Sequence, residues 1–304
     1  MSRLQTLKRI LTDRDYRTIR LAKAGFYNHL DDRTYIEKLY RARMGRDLNL
    51  ENPKLFSEKL QWLKLYDRNP LYTQLVDKYR VREYVAEKLG EEYLIPLLGV
   101  WDDPDEIDFD ALPDQFVLKC NHNSGTGMCI CRDKSKLDYD KVRKELKKGL
   151  REDFYRKNRE WPYKDVSRKI ICEQYLTDST GSEELTDYKF FCFHGEVKCF
   201  KVDFGRFLEH HANWYDKAGN LLPFGETVCT PCFERTIVFP QNLNDMFYAA
   251  EKVAEDCQFM RVDLYNVGGR IYIGELTLIP AAGWGTFTDS RWDEILGQWL
   301  HGSK

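Results

Sequence analysis

The stretch from residue 259 to 280 constrains this chain most: Phe-Met-Arg-Val-Asp-Leu-Tyr-Asn-Val-Gly-Gly-Arg-Ile-Tyr-Ile-Gly-Glu-Leu-Thr-Leu-Ile-Pro. It reads as two strands around a Gly268-Gly269 turn. Strand side chains alternate between faces, so Arg261 and Asp263 share one face of the first strand. Glu275 and Thr277 share one face of the second. A cation and an acid met by an acid and a hydroxyl suit a metal–phosphate group, because hard Mg²⁺ takes carboxylate, phosphate and water oxygens. The same letters also fit an exposed hairpin with scattered surface charges.

Register separates the two readings. A three-residue loop, Gly268 to Arg270, pairs Asp263 directly with Glu275. A two-residue Gly-Gly loop pairs Asp263 with Gly274 and turns Glu275 to the wrong face. The metal reading therefore needs an odd-length loop or a bulge, and glycines favour both.

At 304 residues the chain is beyond the usual single-core size, which predicts two or three lobes. Its 47 basic and 49 acidic residues nearly cancel, which argues against a nucleic-acid binder. No run of 18 apolar residues predicts a membrane span, and the N-terminus lacks an apolar signal core. A cytoplasmic protein is the expectation. Of nine cysteines, Cys120, Cys129, Cys131, Cys172, Cys192 and Cys199 sit in apolar strand-like runs, as small buried hydrophobes do in a reducing compartment. Cys229-Thr-Pro-Cys232 is the only C-x-x-C, and no second zinc-ligand pair at matching spacing is evident.

Residues 1–70 read as helical and basic. The first fifty carry 12 Lys/Arg against 6 Asp/Glu, and Leu4, Leu7 and Leu11 fit one helical face. This is either an arm for an anionic membrane surface or acidic partner, or a solvated helical face. Val81, Val85 and Leu89 predict a helix over 73–89, stopped by Gly90. A strand over 115–120 leads through Asn121-His-Asn-Ser-Gly-Thr-Gly127 into a second over 128–131. Residues 135–160 read as helical. Strands follow at 168–176, 187–193 and 196–204, then a hairpin over 213–224 and a helix over 241–257. Helices first, then a strand-rich half, predict an α+β fold with largely antiparallel sheets.

Several residues in this frame suit phosphate chemistry. The loop 121–127 can lay backbone N–H groups on phosphate oxygens, with Ser124 and Thr126 adding hydroxyls. A polar hairpin loop is the plain alternative. Lys119, inside Phe-Val-Leu-Lys-Cys, faces a ligand or snorkels; Lys189 repeats the pattern and shares a strand face with Asp187. The strand Ile170-Ile-Cys-Glu-Gln-Tyr-Leu176 can line an adenine pocket, with Gln174, Tyr175 and Leu176 reading the base edge through their backbone. Glu173 takes the amino group or sits in a buried salt bridge.

The order of these parts resembles the ATP-grasp superfamily, and more closely its TupA-like branch, named for teichuronopeptide biosynthesis. The resemblance rests on Asn52-Pro-Lys-Leu-Phe-Ser-Glu-Lys-Leu-Gln-Trp62, Val76-Asp-Lys-Tyr79, Phe116-Val-Leu-Lys-Cys-Asn121, Asp187-Tyr-Lys-Phe190, Arg261-Val-Asp-Leu-Tyr265 and Glu275-Leu-Thr277, and covers roughly residues 50–300. It implies two α+β lobes sandwiching ATP: a helical N-terminal region (1–70), a lobe with a glycine-rich lid (71–165) and a lobe with the metal site (166–304). It implies Lys78 and Lys119 as ATP-binding lysines, and Asn123, Ser124, Gly125, Thr126 and Gly127 as the lid. Glu173, Gln174, Tyr175 and Leu176 become the adenine hinge, and Asp187 the ribose ligand. Lys189 and Arg261 become the cations on the transferring phosphate, and Asp263, Glu275 and Thr277 the Mg²⁺ ligands. Thr277 departs from the superfamily pattern, which ends in Glu-x-Asn.

The activity implied is an ADP-forming carboxylate–amine ligase working through an acylphosphate. Its expected partners are ATP, a sugar-borne carboxylate such as a uronic acid, and a small amine or amino acid, in bacterial surface-polysaccharide synthesis. Arg206, His210 and His211 follow the central strand pair and can meet the acceptor, or form an ordinary polar loop. The alternatives are a sugar or alcohol kinase on the same fold, a glycosyltransferase using Asp103-Pro-Asp105 or Asp138-Tyr-Asp140, and a non-catalytic binding module.

Overall fold

The computed structural model describes residues 3–177, 185–205 and 209–300. Ten α-helices are described: α1 (Arg3–Thr12), α2 (Arg14–Lys23), α3 (Asp32–Met44), α4 (Phe56–Tyr66), α5 (Leu71–Val76), α6 (Val81–Lys88), α7 (Tyr139–Leu150), α8 (Phe154–Asn158), α9 (Leu243–Ala254) and α10 (Arg291–Trp299). The nine strands are β1 (Leu97–Trp101), β2 (Phe116–Cys120), β3 (Met128–Cys131), β4 (Ile170–Gln174), β5 (Asp187–Phe193), β6 (Glu196–Phe204), β7 (His211–Asp216), β8 (Phe259–Val267) and β9 (Arg270–Thr277). They form a four-stranded sheet ordered β1-β4-β2-β3 and a five-stranded sheet ordered β7-β6-β5-β8-β9. Every ladder within them is antiparallel, as the α+β expectation requires. The smaller sheet runs past the division expected at residue 166, because β4 pairs with β1 and β2.

Alternation gives the larger sheet two unlike faces. Phe190 and Phe200 point to one side and pack on Phe247 of α9, at 5.3 and 5.5 Å between ring centroids. The other face is divided along its length. Its far end is aromatic, with Phe193 packed on Phe56 of α4 and Trp299 of α10. Its near end carries Asp187, Lys189, Lys201, Asp203 and Asp263, all buried. Burying one such aromatic side chain contributes about 1.5–3 kcal/mol. Desolvating one charge costs several kcal/mol, so the apolar end and the mutual pairing of the charges are both needed to hold this face together.

Two expected helices are broken. The one predicted over 73–89 is interrupted at residues 77–80, where Asp77 turns extended and its Oδ1 accepts from the N–H groups of Tyr79 and Arg80 at 2.8 and 3.3 Å. Asn121, fully buried at the end of β2, donates to the same Oδ1 at 2.8 Å. This tertiary contact overrides the helical period and frees Lys78 from a helix wall. The helix predicted over 135–160 likewise divides into α7 and α8.

The motif at 52–62 becomes a clamp. Glu58 accepts from the N–H groups of Lys54 and Leu55, at 2.9 and 3.1 Å, and so caps α4. From α4, Gln61 donates to the Gly283 carbonyl at 2.8 Å and Lys64 to that of Ala282 at 2.6 Å. The segment just beyond Thr277 is thereby fixed to the helix.

Candidate active site

The closing hairpin meets the register requirement by a bulge. Val267 pairs with Arg270, so the loop is the two residues Gly268 and Gly269, not three. Their φ angles of 58° and 86° are those of a primed turn, which follows strand twist. The register then slips between Asp263 and Leu264, and Asp263 pairs directly with Glu275. Gly274 is the residue passed over, and a Cβ there would lie 2.8 Å from the Tyr265 ring.

The acids and cations of this face form one network. The Arg261 guanidinium grips Asp263 with both prongs, at 2.6 and 2.8 Å, and reaches Thr277 Oγ1 at 3.0 Å and Glu275 Oε2 at 3.4 Å. The Lys189 ammonium bridges Asp187 and Asp263 at 2.5 and 2.6 Å. Burial raises the Asp263 pKa, but Arg261 and Lys189 outweigh it and hold the carboxyl below its ordinary value. Burial opposes charge on Lys189 and Arg261 too, yet their acid partners hold both above ordinary values. Lys78 is different. Burial wins there and lowers its pKa, with Glu275 opposing and Lys119 adding to the fall.

Across a cleft of about 330 Å³ stands the smaller sheet. Lys78 donates to the Asn123 carbonyl at 2.7 Å and lies 3.5 Å from Glu275, so it spans both walls. Lys119 pairs with Glu173 at 2.6 Å, and Arg82 lies 3.7 Å from the same acid. Asn123, Ser124, Gly125, Thr126, Asp187, Lys189, Arg261, Asp263 and Glu275 also line this cleft. Thr277 joins through Arg261.

Some expected residues stand apart. Gly127 does not line the cleft; a Cβ there would sit 2.7 Å from both Cys120 Sγ and the Gly149 Cα, so its role is close packing. Gln174, Tyr175 and Leu176 run out of β4 beside the cleft without lining it, and the Gln174 N–H donates to the Pro96 carbonyl. Arg206 lies outside the described residues. His210 is 3.4 Å from Asp203 on β6, and His211 Nδ1 is 2.9 Å from the Thr230 carbonyl. The Asp-x-Asp candidates serve backbone caps: Asp103 accepts from the Asp105 N–H and Asp138 from the Lys141 N–H. Cys229 and Cys232 contact the His210 carbonyl and Glu234.

Sequence reasoning missed other residues. Met128 lines the cleft, and Ile130 shares its strand face; both are exposed at 51% and 47%. The alternation in Met-Cys-Ile-Cys was their signal, since large apolar side chains on a cleft wall suit a flat ring. Buried Glu160 and partly buried Tyr163 feel the charge of Glu275, with desolvation as the larger cause of their raised pKa values. Lys64 stands against Glu160, and burial lowers its pKa. Nothing in the local sequence marks them.

Among the described residues no three His, Cys, Asp or Glu side chains form a metal-ligand cluster. The oxygens present are two carboxylates and a hydroxyl, which fit Mg²⁺, an ion that takes one or two carboxylates and completes its shell with phosphate and water. Lys119 of the smaller sheet and Lys78, from the break between α5 and α6, thus meet an acid–arginine network of the larger sheet in one cleft. Residues 58–301 match the family described as TupA-like ATPgrasp. The chain belongs to this family, and it is an enzyme of the ATP-grasp superfamily, whose members typically join a carboxylate to an amine using ATP.

No curated protein sequence matches the chain. Among solved structures it is similar to the D-alanine–D-alanine ligase of Helicobacter pylori, at 12% identity over 80% of this chain and 67% of that one, with a TM-score of 0.45. It is also similar to the ATP complex of the Bacillus anthracis D-alanine–D-alanine ligase, at 15% identity over 73% and 58%, with a TM-score of 0.41. The ADP complex of N5-carboxyaminoimidazole ribonucleotide synthetase gives 14% identity over 80% and 56%, with a TM-score of 0.40. The chain thus spans less than two thirds of the last two. The family assignment rests on the sequence match. Among the described residues no helix is long and apolar enough to cross a membrane.

Proposed function

We propose that the enzyme is an ADP-forming carboxylate–amine ligase whose carboxylate is borne by a sugar, such as a uronic acid, in surface-polysaccharide synthesis. The γ-phosphoryl of ATP passes to the carboxylate oxygen with release of ADP. An amine then attacks the acylphosphate carbon, loses a proton and expels phosphate, leaving an amide. The observation that carries this reading is the Arg261–Asp263–Glu275–Thr277 network facing Lys78 and Lys119 across one cleft. Phosphoryl transfer is chiefly positioning and neutralisation of charge, and this cleft supplies four cations for it.

In this reading Lys78 and Lys119 grip the phosphates, the 123–126 loop covers them, and Met128 and Ile130 support the base. Asp187 holds the ribose. Lys189 and Arg261 orient the acids and balance charge on the transferring group. Asp263, Glu275 and Thr277 would hold Mg²⁺, which neutralises phosphate oxygens when bound. A lid that excludes water protects the acylphosphate from hydrolysis. The sugar acid and the polysaccharide role follow the TupA-like branch, not the geometry of the site.

Hydroxylamine tests the reading. Incubated with ATP, Mg²⁺ and a panel of uronates, the enzyme should release ADP and yield a hydroxamate. A phosphorylated alcohol instead would establish a kinase.

A further inference from the structure

The N-terminal helices build a second cleft that the phosphate site does not use. It has a volume of about 510 Å³ and lies between α2, α3 and the α8 segment. Lys23, Arg43, Arg156 and Lys157 line it, against the single acid Asp153. Arg156 is held by Asp153 at 2.9 Å, and Lys157 by Glu152. Lys23 and Arg43 have no carboxylate partner among the described residues. Arg43 Nε is buried with no hydrogen-bond acceptor, an arrangement that folded proteins rarely tolerate without a reason. Burial also pulls the Arg43 pKa down.

The walls are built, not draped. Arg159, 4% exposed, donates to the carbonyls of Tyr27, Asn28 and Leu30 at 3.2–3.4 Å. The Tyr35 hydroxyl donates to the Lys157 carbonyl at 2.9 Å, and that of Tyr155 to Asp32 at 2.6 Å. Trp284 joins Arg43 to a second, buried cation. Its ring carries the Arg43 guanidinium at 5.4 Å and the Lys64 ammonium at 4.4 Å. The chain from Thr277 to Trp284 passes through Ala281 and Ala282, both held at positive φ, 48° and 52°. Such strain in non-glycine residues is characteristic of functional segments. Lys23 and Arg43 precede the family match, which begins at residue 58, whereas Asp153, Arg156 and Lys157 fall within it.

We infer that the cleft binds an oxyanion, a phosphate or carboxylate group of the acceptor held away from its reacting end. A guanidinium without a partner on an aromatic floor, flanked by lysines, is a preformed receptor for such a group. The assignment to the acceptor rests on the ligase reading; the binding itself does not.

Calorimetric titration of the whole chain tests it, with inorganic pyrophosphate in one arm and D-glucuronate in the other. Both arms contain saturating Mg²⁺ and a non-hydrolysable ATP analogue, so that the phosphate site is filled. Wild-type protein should bind one of the probes, and which one tells phosphate from carboxylate. Arg43→Gln should weaken that binding at least about tenfold while keeping wild-type affinity for the analogue, which checks folding. Lys23→Gln, at an exposed position, should weaken it less. Absence of binding to both probes, or equal affinity in wild type and both variants, would overturn the inference. The titration involves no turnover, so a failed hydroxamate assay leaves its result standing.

Discussion

Arg261 is the residue on which the charged face turns, because it touches Asp263, Glu275 and Thr277 at once. Asp263 and Glu275 therefore differ as targets for mutation. Asp263→Ala leaves Arg261 and Lys189 buried without their main partner, which should cost about 3–5 kcal/mol of stability and confound any loss of activity. The Glu275 side chain is 33% exposed, so Glu275→Gln should fold within about 1 kcal/mol of wild type. It should slow ADP release by about 100-fold or more, the scale of losing one group that stabilises transition-state charge. Equal ADP release would remove Glu275 from the site. His122 gives a pH test. Burial lowers its pKa below 6.5, so above 6.5 the folded and unfolded chains are both neutral there. As pH falls below 6.5, the unfolded chain gains the proton first and stability drops, until the folded pKa is reached. Urea unfolding at about pH 5 and pH 7.5 should show this loss, and His122→Gln should lessen it; an unchanged pH dependence would refute the assignment.

At the scale of elements, the strands were largely legible. Alternation around His194-Gly195 gives β5 and β6 their observed bounds. In the closing hairpin, side-chain parity requires an odd loop or a bulge but does not choose between them, because steric pressure of Tyr265 on residue 274 is invisible along the chain. The break between α5 and α6 was illegible for a similar reason: Val81, Val85 and Leu89 keep a helical period, while the groups that cap Asp77 include Asn121, far along the sequence. The glycine loop was legible as a loop and misread in part. Gly125 stands in open space, whereas Gly127 packs on Gly149. Alanine at 125 should cost about 1 kcal/mol, the penalty of left-handed backbone. Alanine at 127 adds overpacking, for a total of about 3 kcal/mol. Thermal denaturation of both variants compares them, and equal losses would contradict the packing role.

For the whole molecule, both sheets wall one cleft: each packs an apolar face on a helix, α7 or α9, and sets charges on the opposite face, Lys119 beside Met128 and Ile130 on one, and the Asp187–Lys189–Asp263 group short of the aromatic end on the other. Lys78, Lys119 and the Arg261 network come from distant parts of the chain, and the motif resemblance anticipated their meeting. It did not anticipate Lys64, Glu160 or the cationic cleft of the N-terminal helices, whose residues come together only through tertiary packing. We propose that the Asp263–Glu275 pair and the two lysines hold one metal-bound nucleotide between the sheets. Anomalous scattering from Mn²⁺, in crystals grown with a non-hydrolysable ATP analogue, tests it most directly. A manganese peak bonded to carboxylate oxygens of Asp263 and Glu275 is expected, with the phosphates against Lys78 and Lys119. A nucleotide bound outside this cleft, or a metal that touches neither acid, would contradict it.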